Sequence, residues 1–461
     1  MGHTDVTDRY QSLARTPFGR LLVKNLGLPD PPRLDRWTPG APVVDGTVVL
    51  GGAAGGRLAD PVQRQLKGLD VATVGALDPD PTAGERAKAL LFDATGISDV
   101  AGLASLREFF TPLMRRLAPN SRALVLGTPP ERASEPAAAV VQRALEGFTR
   151  SLAKELRAGG TAQLLYVSPG AEESLTSTLA FLLSPRSAYV SGQVVRLGNT
   201  DTAVDGDGAI APYDRHQPLA GRVVLVTGAA RGIGASMAQV LHRDGATVVG
   251  LDVPALASDL QALTRELGGD SLTLDVTAPD APQWIARHLT DAHGGVDVVV
   301  HNAGITRDKR LANMQPDRWD TVLGVNLGAP LRITEHLLTE GTIRSGGAVV
   351  GVASIAGIAG NNGQTNYATS KAGVIGLVDA LAPVAAKQGV TVNVVAPGFI
   401  ETQMTAAMPL FVREAGRRMN SLAQGGLPVD VAEAVGWYAA AGSSAVTGNV
   451  VRVCGQSLLG A

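Results

Sequence analysis

The chain repeats itself at the scale of a whole domain. Residues 221–236, GRVVLVTGAARGIGAS, align without a gap on residues 45–60, DGTVVLGGAAGGRLAD. The matches continue in order: GATVVGLD (245–252) with VATVGALD (71–78), SLTLDVT (271–277) with ALLFDAT (89–95), and AVVGVAS (348–354) with RALVLGT (122–128). VVAPG (394–398) then follows YVSPG (166–170), and VTGNVVRV (446–453) follows VSGQVVRL (190–197). Such a duplication constrains the fold more than any single motif, because both copies must share one architecture. Each match opens as a short β-branched run and leads into a segment of helical period, the alternation of a parallel sheet covered by helices on both faces. Two doubly wound α/β domains are expected. The stretch from Asp275 to Val349 is much longer than that from Asp93 to Ala123, so the first copy lacks about one strand and one helix, with any counterpart of DVVVHNAG (297–304). That shortening predicts a degenerate, flavodoxin-like first copy beside a Rossmann-type second copy.

The expected organisation is an N-terminal arm over 1–44, the degenerate domain over 45–199, a Gly-, Asp- and Pro-rich linker over 200–220, and the second domain over 221–461. At 461 residues there is room for two cores. A formal charge of −2 lacks the basic excess that phosphate backbones demand, so nucleic acid is not an expected partner. The single Cys454 allows no intrachain disulfide, and the opening MGHTDVTDRY has no apolar signal core. No uninterrupted apolar run approaches the roughly 20 residues of a membrane helix. These readings predict a cytoplasmic protein. The seven histidines, from His3 to His336, show no metal-ligand spacing, and no metal site is expected.

TGAARGIG (227–234) is a Gly-x-x-x-Gly-x-Gly loop between the strand RVVLV and a helix beginning near Ile233. Gly228 permits the turn, Gly232 lets the backbone approach a pyrophosphate, and Gly234 allows close packing under a helix N-terminus that attracts phosphate. Asp252 ends the next strand, where a carboxylate accepts ribose hydroxyls and repels a 2′-phosphate. The expected cofactor is therefore NAD(H). Tyr367 and Lys371 lie four residues apart and so share a helix face. A neighbouring ammonium favours the phenolate, which predicts that Lys371 lowers the pKa of Tyr367. Ser354 follows an apolar strand at the carboxyl edge of the sheet, placed to bond the same carbonyl oxygen.

Residues 221–461 resemble a short-chain dehydrogenase/reductase throughout: TGAARGIG, HNAG (301–304), Asn326 in VNLG, Ser354, the Tyr367–Lys371 pair and APGFIET (396–402) stand in that family's order. GNNGQTNYATSKAG resembles the 3-oxoacyl-(acyl carrier protein) reductases of that family, and the two-domain length is similar to its high-molecular-weight actinobacterial members. The resemblance implies hydride transfer from the dihydronicotinamide to a β-carbonyl carbon, with Tyr367 giving the proton and Ser354 stabilising the developing alkoxide. It implies that Lys371 also binds the nicotinamide ribose and that Asn326 holds a proton-relaying water. The implied cofactor set comprises Gly228, Arg231, Gly232, Ile233 and Gly234 at the loop, Asp252, and Asp275 and Val276 near the adenine. Asn302, Ala303 and Gly304 follow on the adenosine side, with Tyr367, Lys371, Pro397, Gly398, Ile400 and Thr402 around the nicotinamide.

Residues 403–425 occupy the position of that family's substrate lid, where Met404, Met408 and Met419 are candidates for an acyl channel and Arg413, Arg417 and Arg418 for CoA phosphates or a solvated basic face. Pro383 and Gln388 stand where many relatives carry arginine for carrier-protein docking, which favours acyl-CoA over acyl carrier protein unless Lys387 and Arg344 compensate. In the first copy Leu58 replaces Gly234, Thr128 or Gly127 faces Ser354, Ala138 replaces Tyr367 and Gln142 replaces Lys371, while Asp78 matches Asp252. Catalysis there is not expected, and the copy reads as a packing domain that takes a subunit's place, giving a homodimer whose four domains imitate a tetramer. The expected activity is NADH-dependent reduction of 3-oxoacyl thioesters, on CoA or acyl carrier protein. Reduction of another ketone, such as a steroid or small hydroxy compound, and a non-catalytic dinucleotide sensor or scaffold are the alternatives.

Overall fold

The computed structural model describes residues 11, 16, 30–79, 84–198, 213–406 and 408–458, without the side chain of Met404. Most of the expected arm before residue 30 and residues 200–212 of the expected linker lie outside that set. Two parallel sheets carry the fold.

The first contains β1 (Thr47–Gly52), β2 (Thr73–Val74), β3 (Ala87–Asp93), β4 (Leu117–Gly127), β5 (Thr161–Val167) and β6 (Gln193–Leu197), in the order β2-β1-β3-β4-β5-β6. The second contains β7 (Val223–Thr227), β8 (Thr247–Asp252), β9 (Asp270–Thr273), β10 (Val296–His301), β11 (Ile343–Val352), β12 (Thr391–Pro397) and β13 (Val450–Val453), in the order β13-β12-β11-β10-β7-β8-β9. Both are doubly wound, the first flavodoxin-like and the second Rossmann-type. Strands such as AKALLFD and TAQLLYV are apolar along nearly their whole length because helices cover both faces.

The register corrects one alignment. Leu50 of β1 pairs with Leu91, as its counterpart Val226 of β7 pairs with Val300. ALLFDAT therefore occupies the place of β10, not of SLTLDVT in β9. What the first sheet lacks is the outer edge strand, and Asp93 stands where the second sheet has Asn302. The same register sets Thr128 opposite Ser354, through Leu91 with Leu124 and Val300 with Val350. Asp78 is exposed beyond the two-residue β2 and does not reproduce the strand-end position of Asp252.

The helices are, in the first half, α1 (Ala59–Gly68), α2 (Ala104–Leu113), α3 (Pro136–Glu155) and α4 (Thr176–Leu183). The second half has α5 (Gly232–Arg243), α6 (Ala257–Glu266), α7 (Ala281–His293), α8 (Pro316–Leu323) and α9 (Ala329–Thr339). It continues with α10 (Ala356–Ala359), α11 (Thr365–Ala386), α12 (Gln403–Ala406), α13 (Leu410–Arg418) and α14 (Pro428–Ala439). Helix α11 is long and apolar enough to cross a membrane by composition, but it packs on β12 and carries Tyr367 and Lys371.

The two halves share one apolar core, joined through β6, β13, α4 and α14. Arg186 from the first half bonds Asp244 and Glu433 of the second in a buried cluster with Arg243. Trp37, in the described part of the arm, lies against both guanidiniums, 3.9 Å from that of Arg186 and 4.4 Å from that of Arg243. Removing one member of so buried a cluster would leave an uncompensated charge, so the arm and both halves are fixed together.

Candidate active site

The glycine loop joins β7 to α5. Gly228 and Gly232 adopt φ of +67° and +61°, which explains glycine at both. A Cβ at Gly234 would lie 2.0 Å from the Gly228 carbonyl oxygen and 2.6 Å from Asn302 Nδ2, so only glycine lets α5 approach the turn. The loop is pinned by Thr227, whose Oγ1 accepts from the Asn302 and Ala303 amides while its hydroxyl donates to Val300 O. Asn302 Nδ2 in turn donates to the Thr227 and Gly228 carbonyls. No side chain caps the first turn of α5, with Arg231 exposed and Ile233 half-buried at its mouth. Free N–H groups and the helix dipole at that point fit a pyrophosphate.

Asp252 is buried at the end of β8 with Oδ2 accepting from Ala230 N at 2.9 Å. Its carboxylate thus ties the end of β8 to the glycine loop. Asp275 is exposed and turns on Thr277, whereas Val276 is buried beside it. Gly304 closes the other side: a Cβ there would lie 3.3 Å from Lys371 Nζ and 3.4 Å from Asn326 Oδ1. Pro397 ends β12, Gly398 abuts Cys454, Ile400 is buried, and the Thr402 amide donates to Thr405 Oγ1. All these residues follow the carboxyl ends of β7, β8, β9, β10 and β12, the edge of a doubly wound sheet where ligands bind.

Ser354, Tyr367, Lys371 and Asn326 meet at the same edge. Burial is the larger influence on Tyr367 and raises the phenol above its ordinary pKa, while the neighbouring Ser354 hydroxyl acts in the opposite direction. The lowering by Lys371 expected from helical spacing is not what this geometry gives. The ammonium lies 5.7 Å from the Tyr367 ring centroid and donates to Val352 O at 2.7 Å, and burial lowers its own pKa to about 8. A buried phenol and an adjacent hydroxyl are both able to donate to one carbonyl oxygen.

Asn326 lies in a π-helical turn, Gly324–Gly328, between α8 and α9. Its side chain is fully used: Oδ1 accepts from Ile305 N, and Nδ2 donates to Ile305 O and Ser370 Oγ. Two residues escaped the sequence reading. Asn366 Oδ1 accepts from the Tyr367 amide while its Nδ2 donates to Arg307 O and Arg318 O, and Ser370 Oγ donates to Tyr367 O. Polar residues flanking a tyrosine at a helix start are the signal that was available.

The lid departs from expectation. Arg417 is buried, paired with Glu401 and Glu414, and Arg418 donates to Ala423 O and Glu414. Arg413 donates to Ala406 O. Arg417 is thus taken up within the lid's own fold and does not stand on a solvated basic face. Met408 and Met419 are exposed, while the Met404 side chain lies outside the described residues. Arg344 is engaged by Asp297 and His293 O, whereas Lys387 is exposed.

The equivalent crevice of the first sheet is filled from within. Asp93 Oδ2 accepts from Leu58 N and Ala59 N, so a carboxylate of the chain occupies the start of α1. A Cβ at Gly96 would lie 2.2 Å from Ala54 O, which shows how closely that segment covers the loop. Arg57 spans the crevice to Glu172 and Val167 O, and Gln142 ties Thr128 N to Ala94 O and Ile97 O. Leu58 is wholly buried in the core.

Comparison with known proteins agrees with this geometry. Residues 228–455 match the family model described as enoyl-(acyl carrier protein) reductase. The chain is 40% identical to the 3-oxoacyl-(acyl-carrier-protein) reductase of Thermotoga maritima over 242 residues, 51% of this chain and 98% of the relative. The enzymes of that name from Vibrio cholerae, at 40%, and Escherichia coli, at 37%, are covered over 97% and 96% of their lengths by 51% of this chain. The second half of the chain is thus a member of the short-chain dehydrogenase/reductase family, an oxidoreductase related to the 3-oxoacyl-(acyl-carrier-protein) reductases and preceded by an additional parallel α/β domain.

Proposed function

We propose that the second half reduces 3-oxoacyl thioesters, carried on CoA or acyl carrier protein, to 3-hydroxyacyl thioesters with NADH. The observation that carries this reading is the meeting of Tyr367 with Ser354 and with Lys371, whose ammonium lies 5.7 Å from the phenol ring, at the same sheet edge as the glycine loop and Asp252. The printed activity of the relatives supports a thioester substrate.

When bound, the dinucleotide supplies the hydride. Ser354 and Tyr367 hold the substrate oxygen between two donors, and Tyr367, kept protonated by burial, gives its proton as negative charge develops there. Lys371 would bind the ribose of a bound cofactor and pass a proton toward Tyr367, with Asn326 holding the water that replenishes it. Asn366 and Ser370 fix the tyrosine's backbone, so its ring approaches at a set angle. Gly228, Arg231, Gly232, Ile233 and Gly234 cradle the pyrophosphate, and Asp252 selects the unphosphorylated ribose. Asp275, Val276, Asn302, Ala303 and Gly304 flank the adenosine, and Pro397, Gly398, Ile400 and Thr402 flank the nicotinamide.

Residues 45–199 serve as a non-catalytic packing domain behind the 1–44 arm, joined through 200–220 to the catalytic domain at 221–461. The chain acts in the cytoplasm as a homodimer, with α11 supplying the contact: it is apolar, yet 39% of its most apolar window is buried within one chain. Sedimentation giving a stable monomer or a tetramer of full chains would overturn the dimer. The activity is tested by NADH consumption with acetoacetyl-CoA and acetoacetyl acyl carrier protein, alongside Tyr367→Phe. Turnover in the wild type that falls by orders of magnitude in the variant is expected; turnover unaffected by the change would remove the mechanism, and none with any ketone would favour a dinucleotide sensor.

A further inference from the structure

At the amino-terminal end of the second sheet, away from the crevice, three potential metal ligands converge. Asp270 opens the edge strand β9, and His288 and His293 lie in the last turns of α7. Nε2 of His288 is 2.7 Å, and Nε2 of His293 3.1 Å, from the same oxygen, Asp270 Oδ2. The other carboxylate oxygen accepts from Ser271 N at 2.7 Å, which fixes the direction in which Oδ2 points. One ligand atom from each of the three side chains lies within 4.8 Å of the others, and all three side chains are partly open to solvent.

As a hydrogen-bonded cluster this arrangement spends two imidazole protons on one carboxylate oxygen. A divalent ion replaces both protons at once, with two nitrogens and one oxygen as ligands and water completing the shell. For metal bonds of about 2.0–2.1 Å at tetrahedral angles the ligand atoms stand roughly 3.3 Å apart, so the two separations from Asp270 Oδ2, 2.7 and 3.1 Å, need to open by roughly 0.6 and 0.2 Å. Imidazole nitrogen with carboxylate suits zinc, copper, nickel and cobalt rather than magnesium or calcium. The Ser271 amide acts on the carboxylate as outer partners of metal ligands commonly do. The Arg344 guanidinium donates to His293 O and is paired with Asp297.

We propose that Asp270, His288 and His293 form a binding site for a divalent ion of the zinc class, clamping the end of α7 to the start of β9. Trp284 lies one turn before His288 on α7 and is half exposed, which makes it a built-in reporter. The full-length chain, prepared without a polyhistidine tag, is titrated with Zn²⁺ while its thermal midpoint is followed, and with Cu²⁺ while tryptophan emission is followed. One saturable ion per chain is expected, with a midpoint raised by Zn²⁺ and returned by chelator, and with emission quenched by Cu²⁺. His288→Ala and His293→Ala should lose these responses. Asp270→Asn, which keeps a hydrogen-bond acceptor for the histidines, should retain the fold and ketone turnover yet bind Zn²⁺ at least about tenfold more weakly. Zn²⁺ responses in all three variants equal to those of the wild type, or no saturable response in the wild type, would overturn the site and leave a hydrogen-bonded cluster only.

Discussion

Phe181 and Trp437 hold the same place in the two repeats and stack on each other, with ring centroids 4.6 Å apart and planes within 6°. The relation recurs in the backbone: Arg196 N–H donates to Asn449 Oδ1, and the matching Arg452 N–H donates to Gln193 Oε1. Each repeat thus presents the same patch to the other, as subunits do across a two-fold axis, but within one chain. Phe181 is fully buried, so Phe181→Ala is expected to cost about 3–5 kcal/mol of stability in urea unfolding. It should also lower the temperature at which activity is lost, because α14 belongs to the half that bears the crevice. A variant within about 1 kcal/mol of wild type would mean that the stack closes no shared core.

Asp252 holds the glycine loop at the end of β8, where the proposed discrimination between NADH and NADPH would act. Its Oδ2 holds Ala230 N at 2.9 Å, so Asp252→Asn retains an acceptor for the loop and removes the charge. The wild type should use NADH in preference to NADPH, and the variant should narrow the ratio of kcat/KM values by about tenfold, or ~1.4 kcal/mol. An unchanged ratio would assign the discrimination to other groups in the crevice.

His301 makes stability depend on acid. Burial lowers its pKa to about 4, with Nε2 at 2.8 Å from Thr334 Oγ1. Between the unfolded value of 6.5 and about 4 the unfolded chain binds a proton that the folded chain does not, so stability is lost as pH falls through that window, by about 3 kcal/mol in all. Phe92 occupies the corresponding place in β3, which makes His301→Phe a natural replacement. Unfolding free energies measured from pH 7 to 4 should fall less steeply in that variant; equal slopes would place the acid sensitivity elsewhere.

The repeat made both sheets legible in the sequence, and the loop, Asp252 and the Tyr367–Lys371 pair were legible as one site because each sits at a fixed point of a βα unit. The register was not. ALLFDAT resembles SLTLDVT as closely as it resembles any strand, and only pairing to β1 shows that it fills the slot of β10. Spacing also placed Lys371 beside Tyr367 without showing that its ammonium turns to Val352 O. Arg417 read as surface because its partner Glu401 lies on a different segment. The Asp270, His288 and His293 cluster is invisible for the same reason: its third member comes from a strand that precedes the helix, and the helical pair has no ligand spacing of its own.

The first crevice yields the last prediction. Leu58 in place of Gly234 was the sequence sign that the loop had lost its ligand, but the structure adds stronger obstacles. Asp93 already supplies the negative charge that the start of α1 attracts, and Arg57 bridges the crevice to Glu172. Gly96 lies against the loop. Restoring glycine alone should therefore fail: Leu58→Gly is expected to bind one NADH per chain, the number also expected of the wild type, and to be less stable by about 2–5 kcal/mol through loss of a buried leucine. Calorimetric titration with NADH measures the stoichiometry and denaturant unfolding the stability. Two NADH per chain in the variant would show that Leu58 by itself closes the first crevice.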